Sequence, residues 1–217
     1  MRINEIFRSI QGETSSAGLP TVFVRTGGCN LRCTYCDTPY ALTAAGSVHM
    51  TVDAVMGEIR KFQTKRVCLT GGEPLIQPRH EVQELLDLLG EEGYELSIET
   101  SGSISIAGFG LSPRQRWILD MKAPSSAESH MMKFECFDLL RPEDEIKFVL
   151  GTYHDFRWAV ELIENYQLNE RAQLLFSPVW GKVTPLQLTE WALDTGHDIR
   201  VQIQLHKIIW HPDTRGV

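Results

Sequence analysis

Long apolar runs are missing from this chain: none reaches the ~18 residues that a membrane-spanning helix needs. The opening Met1-Arg2-Ile3-Asn4-Glu5-Ile6 has no apolar signal-peptide core, so a cytoplasmic protein with no membrane partner is expected. An excess of positive charge is missing too. A formal net charge of -7 argues against a nonspecific nucleic-acid binder, and a soluble chain with no nucleic-acid partner is expected. Repeats, low-complexity tracts and long linkers are absent. Cysteine is scarce, with five in 217 residues. An odd, clustered set in a reducing compartment points to metal or redox chemistry and away from disulfides.

What remains reads as a single domain over residues 1–217, long enough to bury its own core. Short β-type runs alternate with helical patterns. Strands are predicted at 22–26, 66–70, 94–100, 117–122, 145–150, 173–177 and 199–206, each rich in Val, Ile, Leu or aromatics. Helices are predicted at 52–62 behind Thr51 as N-cap, and at 80–89 with Val82, Leu85, Leu86 and Leu89 on one stripe. Two more are predicted at 154–166 and at 185–195. Thr184 is placed to cap the last, Pro185 suits its first turn and Gly196 its end. Segments 103–116 and 123–144 read as loops or short irregular helices. The pattern implies an α/β fold of parallel β/α units. A full eight-fold barrel typically needs ~250 residues, so an incomplete, open barrel is expected, with its chemistry beyond the C-terminal strand ends.

Motifs collect at those ends. Cys29-Asn30-Leu31-Arg32-Cys33-Thr34-Tyr35-Cys36 follows the first predicted strand with C-x3-C-x2-C spacing. Thiolates are soft ligands for zinc or iron–sulfur clusters, and a closed zinc site wants four. Three cysteines on a four-iron cube leave one iron open. The rival is a zinc knuckle with Cys68 or His49 as fourth ligand. Cys68 sits in an apolar run and reads as a small packed hydrophobe. His49 has no second ligand at zinc spacing. Thr70-Gly71-Gly72-Glu73-Pro74 ends the second strand, where two glycines allow a tight turn and close backbone approach to a small zwitterion, or simply a turn.

Glu99-Thr100-Ser101-Gly102, Asp120-Met121-Lys122-Ala123-Pro124 and Ser177-Pro178 add polar groups to the same rim. Arg25, inside a core strand, either grips a substrate carboxylate in bidentate fashion or makes a structural salt bridge. The Thr38 hydroxyl after Asp37 is either a hard oxygen ligand for Mg2+ or a turn hydroxyl. Ile10-Gln11-Gly12-Glu13-Thr14 reads, taken alone, as a surface turn. His206 faces the barrel mouth or is a core histidine. The tail after His211 is polar and ends at Val217.

Taken together these residues resemble a known family. The three cysteines with Tyr35 before the last, and Gly71-Gly72-Glu73-Pro74, are similar to the cluster motif and methionine-binding loop of the radical S-adenosylmethionine (SAM) superfamily. Glu5-Ile6-Phe7, Gln11-Gly12-Glu13, Arg25, Cys36-Asp37-Thr38, Glu99-Thr100-Ser101-Gly102, Glu145-x-Lys147 and Gln204-x-His206-Lys207 resemble the 7-carboxy-7-deazaguanine synthase family, in its order, over nearly the whole chain.

The resemblance implies a partial β/α barrel of the radical SAM type. It implies that Cys29, Cys33 and Cys36 hold a [4Fe-4S] cluster. Tyr35, Cys36, Asp37, Gly72, Asp120, Met121, Lys122 and Ser177 would line the SAM site, and Thr38 would ligate Mg2+. Ile10, Gln11, Gly12, Arg25, Thr70 and Val217 would contact a pterin substrate. The implied lyase reaction turns 6-carboxy-5,6,7,8-tetrahydropterin into 7-carboxy-7-deazaguanine, a step of queuosine biosynthesis. A one-electron reductant such as a flavodoxin would feed the cluster, and the exposed edges of an open barrel suggest a homodimer. Asp120-Met121-Lys122 stands where the family often has Ser-Pro-Lys, Leu205 where it often has Thr, and Thr14 where Gly is common. The nearest rival enzyme, a glycyl-radical-enzyme activase, would share the cluster and SAM loop but acts on a protein and needs neither Arg25 nor Thr38. A zinc-binding interaction module is the rival outside enzymes.

Overall fold

The computed structural model describes residues 1–212 and 214–217. The chain opens with an antiparallel pair, β1 (Arg2–Ile10) and β2 (Pro20–Thr26), and later adds β3 (Val48–His49) to the outer side of β1. Next come α1 (Val52–Ile59), β4 (Arg66–Gly71), α2 (Arg79–Glu91), β5 (Glu95–Thr100), β6 (Gln115–Lys122) and β7 (Glu145–Leu150). The chain finishes with α3 (Tyr153–Tyr166), β8 (Gln173–Pro178), α4 (Pro185–Leu193), β9 (Ile199–Val201) and α5 (Leu205–Ile209). The sheet order is β3-β1-β2-β4-β5-β6-β7-β8-β9, and all neighbours from β2 to β9 are parallel.

The seven predicted strands are the seven parallel ones. β1 and β3 were not expected. β1 carries Arg2, Asn4, Glu5, Arg8 and Ser9 among its apolar residues, and its pairing with β2 imposes the extended state. The predicted strand at 199–206 stops at Val201, and Leu205 opens α5. α1 ends at Ile59 rather than 62. Its last bonds tighten to i−3, with Lys61 N donating to Glu58 O at 3.2 Å and Phe62 N to Ile59 O at 3.1 Å. The helix starts follow their caps: Thr51 Oγ1 accepts from Ala54 N, and Thr184 with Gln187 forms a full capping box ahead of α4.

Strand alternation divides the molecule into two environments. Val22, Val24, Val67, Leu69, Leu96, Ile98, Leu119, Ile146, Phe148, Leu174 and Phe176 are buried in one core with Met56, Ile59, Leu85, Leu86, Leu89, Phe156, Ile163 and Leu188 of the helices. The residues between them in the strands point to the barrel interior and are mostly polar. That interior is not closed by strand pairing, since β3 and β9 are the two ends of the sheet. The loop 11–19 bridges the gap instead. Thr14 N donates to Gln202 Oε1 at 2.7 Å, and Leu205 N donates to Gly12 O at 2.9 Å. Among the described residues no helix is long and apolar enough to cross a membrane.

Candidate active site

The cysteine loop leaves β2 at its C-terminal end and is pinned from three sides. Cys29 N donates to Leu42 O at 3.1 Å, Thr34 N to Ser126 O at 3.1 Å, and the Tyr35 hydroxyl to Val149 O at 3.1 Å. Leu31 anchors it in the core. Cys29, Cys33 and Cys36 are half-buried free thiols. Burial pushes all three up, Cys33 to about 11, while the Lys122 ammonium pulls in the opposite direction. Three half-buried thiols on one loop are the soft donor set that an iron–sulfur cluster takes. Cys68 lies elsewhere, inside the barrel on β4, where its thiol contacts Glu99 Oε1 at 3.4 Å, and His49 lies on exposed β3.

The glycine loop packs directly beneath the cysteines. A Cβ on Gly72 would stand 2.0 Å from Gly28 O, and one on Gly71, whose φ is +147°, 2.4 Å from Thr26 O. Gly72 N and Glu73 N are spent on Thr26 O (3.1 Å) and Gly28 O (2.8 Å), so those donors fasten the two loops together. The Glu73 carboxylate is buried and accepts from Leu75 N, Thr100 Oγ1, Ser101 N and Ser101 Oγ at 2.7 to 3.0 Å.

Inside the barrel a row of polar side chains runs across the parallel strands. Arg25 on β2 lies beside Thr70 on β4, and Thr70 Oγ1 contacts Glu99 Oε2 at 3.4 Å. Gln11 Nε2 donates to Glu99 Oε1 at 3.2 Å. Lys147 Nζ is buried between Glu13 Oε2 (2.9 Å) and Asp120 Oδ2 (3.0 Å), with Glu99 at 4.0 Å, and Lys122 holds the other Asp120 oxygen at 2.9 Å. Burial opposes the charge on Lys147, but the surrounding carboxylates win and raise its pKa well above that of an ordinary lysine. Asp120 is held low for the reciprocal reason, its burial outweighed by Lys122 and Lys147.

The remaining predicted positions divide between this interior and its supports. Arg25 Nε donates to Glu5 Oε1 at 2.7 Å. Asp37 takes Lys207 Nζ (3.2 Å), Gln204 Nε2 (3.3 Å) and the Thr38 hydroxyl (3.1 Å), and its pKa falls because Lys207 outweighs burial. Gly12 lies against the His206 ring, where a Cβ would meet Nδ1 at 2.0 Å. Ile10 ends β1 opposite Pro20. The Met121 side chain packs into the apolar core, on the opposite face from Asp120 and Lys122. Ser177 Oγ is buried and accepts from Gln202 Nε2 at 3.0 Å. Val217 is half-buried, and nearby Arg215 lies 3.6 Å from the Tyr40 ring centroid.

A family model described as the Radical SAM superfamily matches residues 23–111, which hold the cysteine and glycine loops. A curated 7-carboxy-7-deazaguanine synthase from Koribacter versatilis is 38% identical, with both chains covered in full. The chain belongs to the 7-carboxy-7-deazaguanine synthase family. Relatives of the same name from Clostridium acetobutylicum (37% identical, 100% of this chain and 99% of that one) and Chlorobaculum tepidum (39%, 100% and 97%) agree. The crystal structure of QueE from Escherichia coli superposes with a TM-score of 0.70 at 22% identity, covering 94% of each chain, and shares the fold. As a radical SAM protein the chain belongs with enzymes that use a [4Fe-4S] cluster and SAM.

Sequence reasoning gave no site role to Glu5, Glu13, Tyr40, Glu99, Lys147 or Lys207. A signal for two of them was present. Lys147 and Glu99, like the predicted Asp120, are charged residues at alternate positions of otherwise apolar strands, the mark of an inward polar face. Glu5, Tyr40 and Lys207 acquire their meaning only through partners distant in sequence.

Proposed function

We propose that this chain converts 6-carboxy-5,6,7,8-tetrahydropterin into 7-carboxy-7-deazaguanine with loss of ammonia, in the biosynthesis of queuosine and other 7-deazapurines. The observation that carries the reading is the shared rim. The cysteine loop, the glycine loop and an inward row of Arg25, Thr70, Gln11 and Glu99 all lie beyond or along the same strand ends.

Cys29, Cys33 and Cys36 would hold the [4Fe-4S] cluster. When bound, the cluster supplies the electron that cleaves SAM homolytically and so starts hydrogen abstraction from C6 of the pterin. The chain's own residues bind, orient and exclude water. Gly72 would line the methionine end of SAM. Tyr35, Cys36, Asp37, the Asp120–Lys122 strand end and Ser177 line the rest of its pocket, position 121 through its backbone. Arg25 uses Nε on Glu5 and keeps its terminal nitrogens for the substrate carboxylate. Glu99, with no cation nearer than 4.0 Å among the described residues, suits the amino-substituted edge of a pterin ring. Ile10, Gln11, Gly12, Thr70 and the terminal Val217 complete the substrate wall. Thr38 would offer its hydroxyl to Mg2+, with the Asp37 carboxylate beside it at 3.1 Å.

A one-electron reductant such as a flavodoxin would serve the cluster. A cytoplasmic homodimer fits exposed Ile203, Ile208 and Ile209 beside the short edge strand β9. The test is anaerobic incubation of cluster-reconstituted protein with SAM, reductant and the carboxy-pterin. Product at the mass of 7-carboxy-7-deazaguanine is expected. A brown, iron-containing protein that leaves the pterin intact, or a colourless protein with one tight zinc, would overturn the proposal.

A further inference from the structure

We propose that Glu5 is a positioning residue for Arg25, delivered to it by a β-bulge, and so sets preference for a carboxylate-bearing ligand. The inference rests on the reading of Arg25 as a carboxylate clamp.

The register of β1 against β2 carries the argument. Ile3 pairs with Thr26, and regular antiparallel pairing would then set Asn4 opposite Arg25 and Glu5 opposite Val24. The ladder slips between Ile3 and Glu5, and Glu5 pairs with Arg25 instead. One extra residue thus turns a neutral partner into a charged one, the use bulges serve beside active sites.

The contact itself is selective. Glu5 Oε1 takes Arg25 Nε at 2.7 Å and the Tyr40 hydroxyl at 3.0 Å. Among the described residues the terminal nitrogens of Arg25 make no hydrogen bond. The Phe7 and Tyr40 rings each lie 5.9 Å from the guanidinium carbon. A guanidinium fixed through Nε between two rings keeps the fork of its terminal nitrogens for a second carboxylate in bidentate fashion. Without Glu5 the long side chain would be mostly buried, unpaired and free to rotate before a ligand arrived. Glu5 neutralises Arg25 only in part, since its charge is shared with Tyr40.

Equilibrium binding tests this without turnover. The probes are 6-carboxypterin and pterin, which lacks the carboxylate, each titrated against Glu5→Ala, Glu5→Gln, Tyr40→Phe and Arg25→Ala, with far-UV circular dichroism checking the fold. Glu5→Ala is expected to weaken 6-carboxypterin tenfold or more and to leave pterin within twofold. Glu5→Gln, whose amide oxygen still accepts from Nε, is expected to recover most of the loss. In turnover, KM should carry the Glu5→Ala defect while kcat changes less than threefold. If Glu5→Ala tightens 6-carboxypterin, weakens both probes equally or changes neither, the inference is overturned. Should Glu5→Ala not fold, Tyr40→Phe decides: a threefold selective loss supports positioning, and no loss refutes it. If Arg25→Ala itself shows no selective loss, the clamp reading fails. If it does and Glu5→Ala does not, only the positioning role falls.

Discussion

Replacing Lys147 by Met tests whether the barrel interior is held by charge. Lys147 is 4% exposed and lies 2.9 Å from Glu13 and 3.0 Å from Asp120, both largely buried. Methionine keeps the unbranched stem and deletes the ammonium. Breaking a buried ion pair from one side costs roughly 3–5 kcal/mol, because the partners stay buried without compensation. Here two carboxylates lose their cation, although Asp120 keeps Lys122 at 2.9 Å, so a loss of about 4 kcal/mol is expected. For a chain of this length that is a drop on the order of 10 °C in Tm.

Urea denaturation read by far-UV circular dichroism measures it directly. The pH dependence supplies a second check. Lys147 has its folded pKa raised, so its contribution is fully present below the unfolded lysine value and is lost as pH rises through the folded one. Asp120 has its folded pKa lowered, so its contribution is present above the ordinary carboxylate range and lost as pH falls through the folded value. The Lys147→Met deficit should therefore be largest near neutrality and narrow on acidification, as Asp120, left with Lys122 alone, takes up a proton. Adding Glu13→Gln should restore part of the stability, since the two residues are in contact. A loss below about 1 kcal/mol, or a double variant as unstable as the sum of the singles, would show that the buried pair is not what holds the interior.

Three further outcomes are expected. Thr14 has φ +69°, which costs a residue with a side chain about 1–2 kcal/mol, and its hydroxyl accepts from Ser16 N at 3.2 Å. Thr14→Gly trades strain against that bond and chain entropy, and should stay within about 1 kcal/mol of wild type in a denaturant titration; a cost above about 2 kcal/mol would contradict this. Chelating Mg2+ should slow turnover while the visible absorbance of the cluster stays constant, and an unchanged rate would remove Thr38 from the site. Glu73→Ala strips four donors of their shared acceptor and should lower stability by about 2–4 kcal/mol in thermal melts, whereas a change under about 1 kcal/mol would mean the glycine loop is fastened to the end of β5 otherwise.

The resemblance at the site and the parallel core were legible in the chain because both are local. Cys29, Cys33 and Cys36 stand on one loop, Gly71 and Gly72 on one turn, and each parallel strand announces itself by its own apolar residues. The charged residues interrupting those strands even marked the inward face. β1 was not legible, because its polar residues are made extended by a partner strand, and the end of the last predicted strand was lost where Gln202 turns the chain toward α5.

Tertiary structure alone decided the pairings. That Glu5 meets Arg25 depends on a one-residue slip between strands. That Lys147 is shared by Glu13 and Asp120, 134 and 27 residues away, depends on the curl of the sheet and on the loop that fills its open side. Ion pairs and register are set by distance in space. A sequence lists the charges that can pair, and only the folded shape chooses among them.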